Sequence, residues 1–359
     1  MERPAVSVLT PTYNRAHILH RVYDSLQRQS VRDFEWVVVD DGSTDDTPVL
    51  VTRWQAEADF PITLYRYGNN RGQTPTLNIG RMLVSGHYAF RLDSDDALLD
   101  DAMETIAHWR AATGADAKPE ICGLAFRCID DIGNLVGSAK GNENLPETVL
   151  QVTNREARYR YGMTFDFVRV MKTERFQEQG FDELTNCENA PPSIYWNRFS
   201  NRYETIFVDR PIRRYYQNDG EARLSDKAPG KTVKWPRGNY LRALAILNED
   251  IDWLRHNPKV FLNAARKITR LGLHIGRPIR SQFGDLTNVR ARLLWALAMP
   301  GGLAGYLRDR LRGQRAPAAD PDISAWGPAA APEHPALHPP PERFRFPTLA
   351  SAPRPGASS

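Results

Sequence analysis

Three carboxylates stand in four residues at Asp93-Ser94-Asp95-Asp96, directly after the apolar run His87-Tyr88-Ala89-Phe90-Arg91-Leu92. Carboxylates this close repel one another, so a divalent cation, an arginine or solvent must sit among them. Further polar clusters occur at Pro11-Thr12-Tyr13-Asn14-Arg15, at Asp40-Asp41-Gly42-Ser43-Thr44-Asp45-Asp46 and at Asn69-Asn70-Arg71-Gly72. Taken singly, each is a surface turn. Their chemistry depends on whether the fold gathers them.

The elements between them suggest that it does. Ala5 to Thr10 reads as a strand ending at Pro11, and Ile18, Val22 and Leu26 recur at helical spacing behind it. Trp36-Val37-Val38-Val39 has no alternation, as expected of a strand covered on both faces. Thr47-Pro48 then opens a helix. Ile62 to Tyr65 predicts a third strand and Thr76 to Val84 a helix. Tyr88 to Leu92 predicts a fourth strand, and the helix after the acidic turn has Asp101 and Glu104 spaced as a capping box. Strand and helix thus alternate four times in about 110 residues, the pattern of an α/β fold with a mostly parallel central sheet. In such sheets the ligand crevice lies outside the carboxyl ends of the strands, and all four polar clusters fall there.

No Gly-x-Gly-x-x-Gly follows the first strand and no Gly-x-x-x-x-Gly-Lys-Ser/Thr occurs, which disfavours dinucleotide dehydrogenases and P-loop NTPases. A crevice lined by acids would repel a bare diphosphate. A Mg2+ or Mn2+ bridging Asp95 and the phosphates is the arrangement that removes this repulsion.

The 359 residues suffice for a large core with appendages, and the net charge is only +4. Three widely spaced cysteines and an N-terminus without an apolar leader segment predict a cytoplasmic protein, with the inner face of the cell membrane as a further location. Charge is uneven: Lys231 to Arg315 holds 17 Lys and Arg against 5 Asp and Glu, a net +12, leaving −8 for the rest. An acidic partner is expected for this third, anionic lipid or nucleic acid. Its longest uncharged run, Leu293 to Leu307, is interrupted by Pro300-Gly301-Gly302 and falls short of the ~20 residues of a spanning helix. After Arg315 the composition shifts to Pro, Ala and Ser. The expected organisation is an α/β domain over 1–220, divided into a half with the nucleotide-type crevice (1–115) and a substrate-facing half (116–220). A basic helical region (221–315) and a disordered tail (316–359) follow.

In their order and spacing, Val6 to Arg15, Val39 to Asp45, Asn70-Arg71-Gly72 with Asn78-Ile79-Gly80, and Leu92 to Asp96 closely resemble the family 2 glycosyltransferases of GT-A fold. The resemblance is strong over about 4–112 and thins to fragments by about 216. It implies that Pro11 and Tyr13 lie against the nucleotide base and that Asp41 accepts a hydrogen bond from a uracil-like imide. It implies too that Asp40, Arg71 and Gly72 flank the nucleoside or diphosphate, that Asp93 approaches the ribose or the metal, and that Asp95 ligates Mg2+ or Mn2+. The implied reaction moves a sugar from a nucleoside diphosphate sugar, UDP-linked, to an acceptor hydroxyl with inversion. The glycan or lipid-linked acceptor belongs to bacterial surface polysaccharide synthesis, peripheral contact with an anionic membrane is expected, and nucleic acid is not. Many members carry a Glu-Asp pair before an aromatic-rich helix. This chain has Cys187-Glu188-Asn189 before Ile194-Tyr195-Trp196. Asn189 cannot act as a base, which makes Glu188 the candidate with Asp182 and Glu183 in reserve. The same departure supports the alternative of a non-catalytic nucleotide-sugar-binding or scaffold subunit.

Overall fold

The computed structural model describes residues 2–136, 148–163, 166–178, 180, 202–216, 233 and 235–314. The polar loop expected at 137–145, the connection carrying Asp182, Glu183, Glu188 and Asn189, and the tail expected at 316–359 lie outside the described residues.

The unalternating run predicted a doubly covered strand, and β2 (Phe34–Asp40) is buried at every position. Trp36 and Val38 point into a core shared with Val22 and Leu26 of α1 (His20–Gln27) and Val51 and Trp54 of α2 (Thr47–Glu57). Val37 and Val39 enter the opposite core, with Leu77 of α3 (Gln73–Leu83). β2 runs parallel to β1 (Val6–Thr12) and to β3 (Ile62–Arg66), and β1 runs parallel to β4 (Tyr88–Arg91). The carboxyl ends of these strands therefore share one edge.

Past β4 the sheet is mixed. After β5 (Ala97–Leu98) and α4 (Ala102–Thr113) come β6 (Ile121–Asp130), β7 (Val149–Thr153), β8 (Phe167–Lys172), α5 (Thr173–Glu178) and β9 (Glu204–Tyr215). The order is β3-β2-β1-β4-β8-β6-β9-β5, with β7 also on β9. β8 is antiparallel to β4 and β6, whereas β6 and β9 are parallel.

Several local expectations change. β1 continues through Pro11 to Thr12 because its pairing with β4 stops at Leu9, so the missing proline N–H faces no ladder on that side. Asp101 makes no side-chain cap on α4; the Gln29 side chain accepts from the Met103 N–H instead, at 3.0 Å. The segments expected at 205–208 and 212–216 form one strand, β9, in which Asp209, Arg210 and Ile212 are taken up by irregular register on either side of the Arg127–Pro211 pair.

Among the described residues the remaining α-helices are α6 (Pro236–Glu249), α7 (Pro258–His274), α8 (Ile279–Gly284) and α9 (Val289–Leu311). They surround their own core of Tyr240, Phe261, Ile268, Leu286 and Trp295. Tyr159, from a π-helical turn at Glu156–Arg160, joins that core and donates its hydroxyl to Asp250 at 2.7 Å. Arg155 grips the same carboxylate at 2.6 Å, which fastens helices to sheet. The helical pieces expected around Pro300 are one helix, α9. Close packing holds it through the proline: the Cα of Gly302 lies so near α7 that a Cβ would stand 2.6 Å from the Arg266 carbonyl oxygen.

Candidate active site

The loops after β1 and β2 are stitched to each other. Asn14 sits at φ 52°, a left-handed conformation that asparagine tolerates, and its Oδ1 accepts from the Thr44 N–H at 2.8 Å. Its own N–H donates to Ser43 Oγ at 2.8 Å, the Arg15 N–H to Thr47 Oγ1 at 2.9 Å and the Ala16 N–H to Asp45 Oδ2 at 3.0 Å. Asp40 is fully buried and shapes this turn: it accepts from the backbone and hydroxyl of Ser43 and pairs with Arg66 at 3.3 Å. Tyr13, by contrast, is 42% exposed, so it is an outward-facing ring and not a packing aromatic.

The β3 loop closes onto the same turn through Asp41, whose oxygens accept from the Arg71 and Gly72 N–H groups, each at 2.8 Å. Burial pushes the Asp41 pKa up; the two backbone donors oppose it without cancelling it. The approach requires two glycines in the left-handed region. Gly42 has φ 75°, and a Cβ there would stand 2.5 Å from the Asn69 backbone; Gly72 has φ 93°. Arg71 lies over the Tyr67 ring at 5.0 Å.

In the acidic turn, positive charge is supplied to two of the carboxylates by arginine. Arg91 Nε donates to Asp93 Oδ1 at 2.5 Å. Arg213 Nη1 lies 3.7 Å from Asp93 Oδ2 and 3.5 Å from Asp96 Oδ2. Burial favours the neutral acid at Asp93, but Arg91 and then Arg213 outweigh it and hold its pKa below the usual carboxylate range. Burial likewise works against charge on Arg213, yet the acidic groups around it, Cys128, Asp96 and Asp93 among them, raise its pKa. Arg213 reaches the turn because β5, immediately after it, pairs with the end of β9, Leu98 opposite Arg213. Asp95 is half-buried, and its carbonyl oxygen accepts from Arg21 Nη1 at 3.5 Å. Arg21 also lies over the Tyr216 ring at 4.3 Å.

The structure thus brings Pro11, Tyr13, Asp40, Asp41, Arg71, Gly72, Asp93 and Asp95 to one edge of the sheet, while Glu188 is outside the described residues. Arg91, Arg213, Arg21 and Arg66 are the additions. Arg91 was legible, since two residues before Asp93 in an extended run places both side chains on one face. Arg213 was not, being far along the chain. Among the described residues no three His, Cys, Asp or Glu side chains form a metal cage. A Mg2+ or Mn2+ held with substrate phosphates and waters needs only one or two carboxylates, and Asp95 suits that donor set. Asp93 is engaged by guanidinium groups on both of its oxygens.

Residues 7–118 match the family model described as Glycosyl transferase family 2. Over 103 residues the chain is 35% identical to a GalNAc(5)-diNAcBac-PP-undecaprenol beta-1,3-glucosyltransferase of Campylobacter jejuni, a match covering 29% of this chain and 33% of that protein. It is 36% identical over 101 residues to a chondroitin synthase of Escherichia coli, covering 28% of this chain and 14% of that protein. The chain thus spans a third or less of the length of these relatives. The fold is similar to that of S. aureus TarS 1-349, solved in complex with UDP-GlcNAc, with a TM-score of 0.51 and 17% identity over 86% of this chain and 92% of that one. Over residues 7–118 the chain is therefore a glycosyl transferase family 2 domain, built on the GT-A fold.

Proposed function

We propose that this chain transfers a sugar from a nucleoside diphosphate sugar, UDP-linked, to an acceptor hydroxyl during synthesis of a bacterial surface polysaccharide or lipid-linked glycan. The observation that carries the reading is the junction at Asp41, which draws the β2 and β3 loops into one rigid rim beside the acidic turn. The Campylobacter relative, named for an undecaprenol-linked acceptor, and the TarS complex with UDP-GlcNAc support the acceptor and donor classes. On this reading the enzyme works in the cytoplasm, at the inner face of the membrane.

In the proposed mechanism the exposed Tyr13 ring and Pro11 bracket the base and Asp41 receives its imide N–H. Burial raises the Asp41 pKa, and the Arg71 and Gly72 N–H groups, which favour the carboxylate, oppose that rise. Asp95 would hold a Mg2+ or Mn2+, which would supply charge stabilisation for the leaving diphosphate. Asp93, fixed by Arg91 and Arg213, keeps the turn in shape and faces the ribose. Glu188 takes the proton from the attacking hydroxyl on the face opposite the leaving group, giving inversion.

Donor hydrolysis measured across UDP- and GDP-sugars with Mg2+ or Mn2+ tests this. Asp95→Ala should abolish the cation-dependent part; undiminished hydrolysis would remove Asp95 from the mechanism. Asn189, standing where a base is common, favours a second reading, a non-catalytic donor-binding subunit. Glu188→Gln separates the two, because an enzyme should lose roughly 10²–10⁴-fold in turnover while still binding donor. A wild type that binds donor and never turns over favours the subunit.

A further inference from the structure

α9 has two apolar faces. One, with Ala291, Trp295, Ala298 and Gly302, is buried against α7. At about 100° per residue, the opposite face carries Val289, Leu293, Leu297, Leu303, Leu307 and Leu311. These six are 44% to 89% exposed, and among the described residues nothing covers them. The stripe runs the length of the 23-residue helix, about 34 Å. Isolated exposed leucines need no explanation, but a continuous stripe opposite an already buried face does.

The charges flanking the stripe indicate what covers it. Arg290 and Arg308 fall on one edge and Arg292 and Arg310 on the other, at about 100° intervals from the stripe's start. The helix's acidic residue, Asp309, is turned to the buried side and held by Arg270 and His274 at 2.5 and 3.0 Å, so it does not offset them. Arg290 does pair with Asp252 at 2.7 Å, but both side chains are largely exposed, and such pairs exchange partners at little cost. A second copy docking through this stripe about a two-fold axis would set arginine edge against arginine edge. No described helix, α9 included, is long and apolar enough to cross a bilayer.

We propose that α9 lies in the plane of an anionic membrane surface, its leucine stripe in the acyl boundary and its arginine edges among the phosphates. This docking is independent of the sugar-transfer reading, because it rests on the helical region alone. The test is flotation of the full chain with vesicles of phosphatidylglycerol and phosphatidylcholine in equal parts, and with pure phosphatidylcholine. The chain should float with the anionic vesicles. The exposed triple variant L293S/L297S/L307S should lose roughly tenfold or more of that partitioning, with its melting temperature unchanged. R308Q/R310Q should weaken binding to the anionic vesicles only. The proposal is overturned if wild type does not float, or if the triple variant floats equally well. A solution dimer that the triple variant converts to monomer would assign the face to a second copy, and flotation gained only on deleting residues 315–359 would assign it to that segment.

Discussion

Replacing Arg213 with methionine probes the charge design of the acidic turn. The side chain is 11% exposed and faces Asp96, itself fully buried, at 3.5 Å and Asp93 at 3.7 Å. At an effective dielectric near 20 each contact amounts to about 4–5 kcal/mol before desolvation is subtracted. Removing one member of a buried pair costs about 3–5 kcal/mol, because the partner stays buried with its charge. Asp93 keeps Arg91, and Asp96 retains other interactions, so about 3 kcal/mol is expected. For a domain of this size that lowers the melting temperature by about 6–12 °C.

The pH dependence of the R213M effect follows from Asp93. Its folded pKa is depressed, so its stabilising contribution is present above the unfolded value near 4 and disappears as pH falls through the folded one. Arg213 supplies part of that depression. The gap between wild type and R213M should therefore be full at neutrality and shrink from about pH 5 downward. Thermal melts by circular dichroism across that range give the result directly, and Arg213→Lys, which keeps the charge, should recover part of the loss. A drop of under about 2 °C, or a gap that stays constant with pH, would refute the assignment of Arg213 as the cation of this turn.

Gly42→Ala should destabilise by more than about 2 kcal/mol, since it combines φ 75° with a Cβ 2.5 Å from the Asn69 backbone; urea denaturation reads this. Asp41→Asn leaves one of the Arg71 and Gly72 N–H groups facing an amide donor, at about 1.5–3 kcal/mol for the lost charged hydrogen bond. Its expected signature is a reduced thermal shift with UDP, whereas an unchanged shift would detach the β3 loop from donor binding.

How far the site was legible follows from sequence distance. β2 was visible because a strand covered on both faces is an unbroken apolar run, and the loop positions followed from the direction of the parallel strands. Pro11 and Pro300 misled for a shared reason. Proline forbids a hydrogen bond, but whether that bond was needed depends on neighbours: β4 ends before Pro11, and α7 holds α9 through Pro300. The capping box misled because Asp101 makes no side-chain cap, while another first-turn donor, the Met103 N–H, is met from outside the helix by Gln29.

The acidic turn shows the deeper limit. Its sequence required positive charge among the carboxylates but could not say whether metal, arginine or water supplied it. Arg213 supplies it to Asp93 and Asp96, from a strand whose irregular register absorbs three residues just before the arginine and so sets its phase against the turn. Division of labour follows among three neighbouring carboxylates. Two are neutralised by fixed guanidinium groups from Arg91 and Arg213, which lets the backbone hold a tight acidic bend without an ion. Were all three dependent on a bound cation, the turn would spread whenever the cation left with product. On the proposed reading, Asp93 and Asp96 stay pinned from β4 and β9 and Asp95 is left to meet the cation. The second half of the sheet thus reaches the acidic turn through Arg213, and on the proposed reading it bears on the donor end of the crevice as well as on the acceptor end.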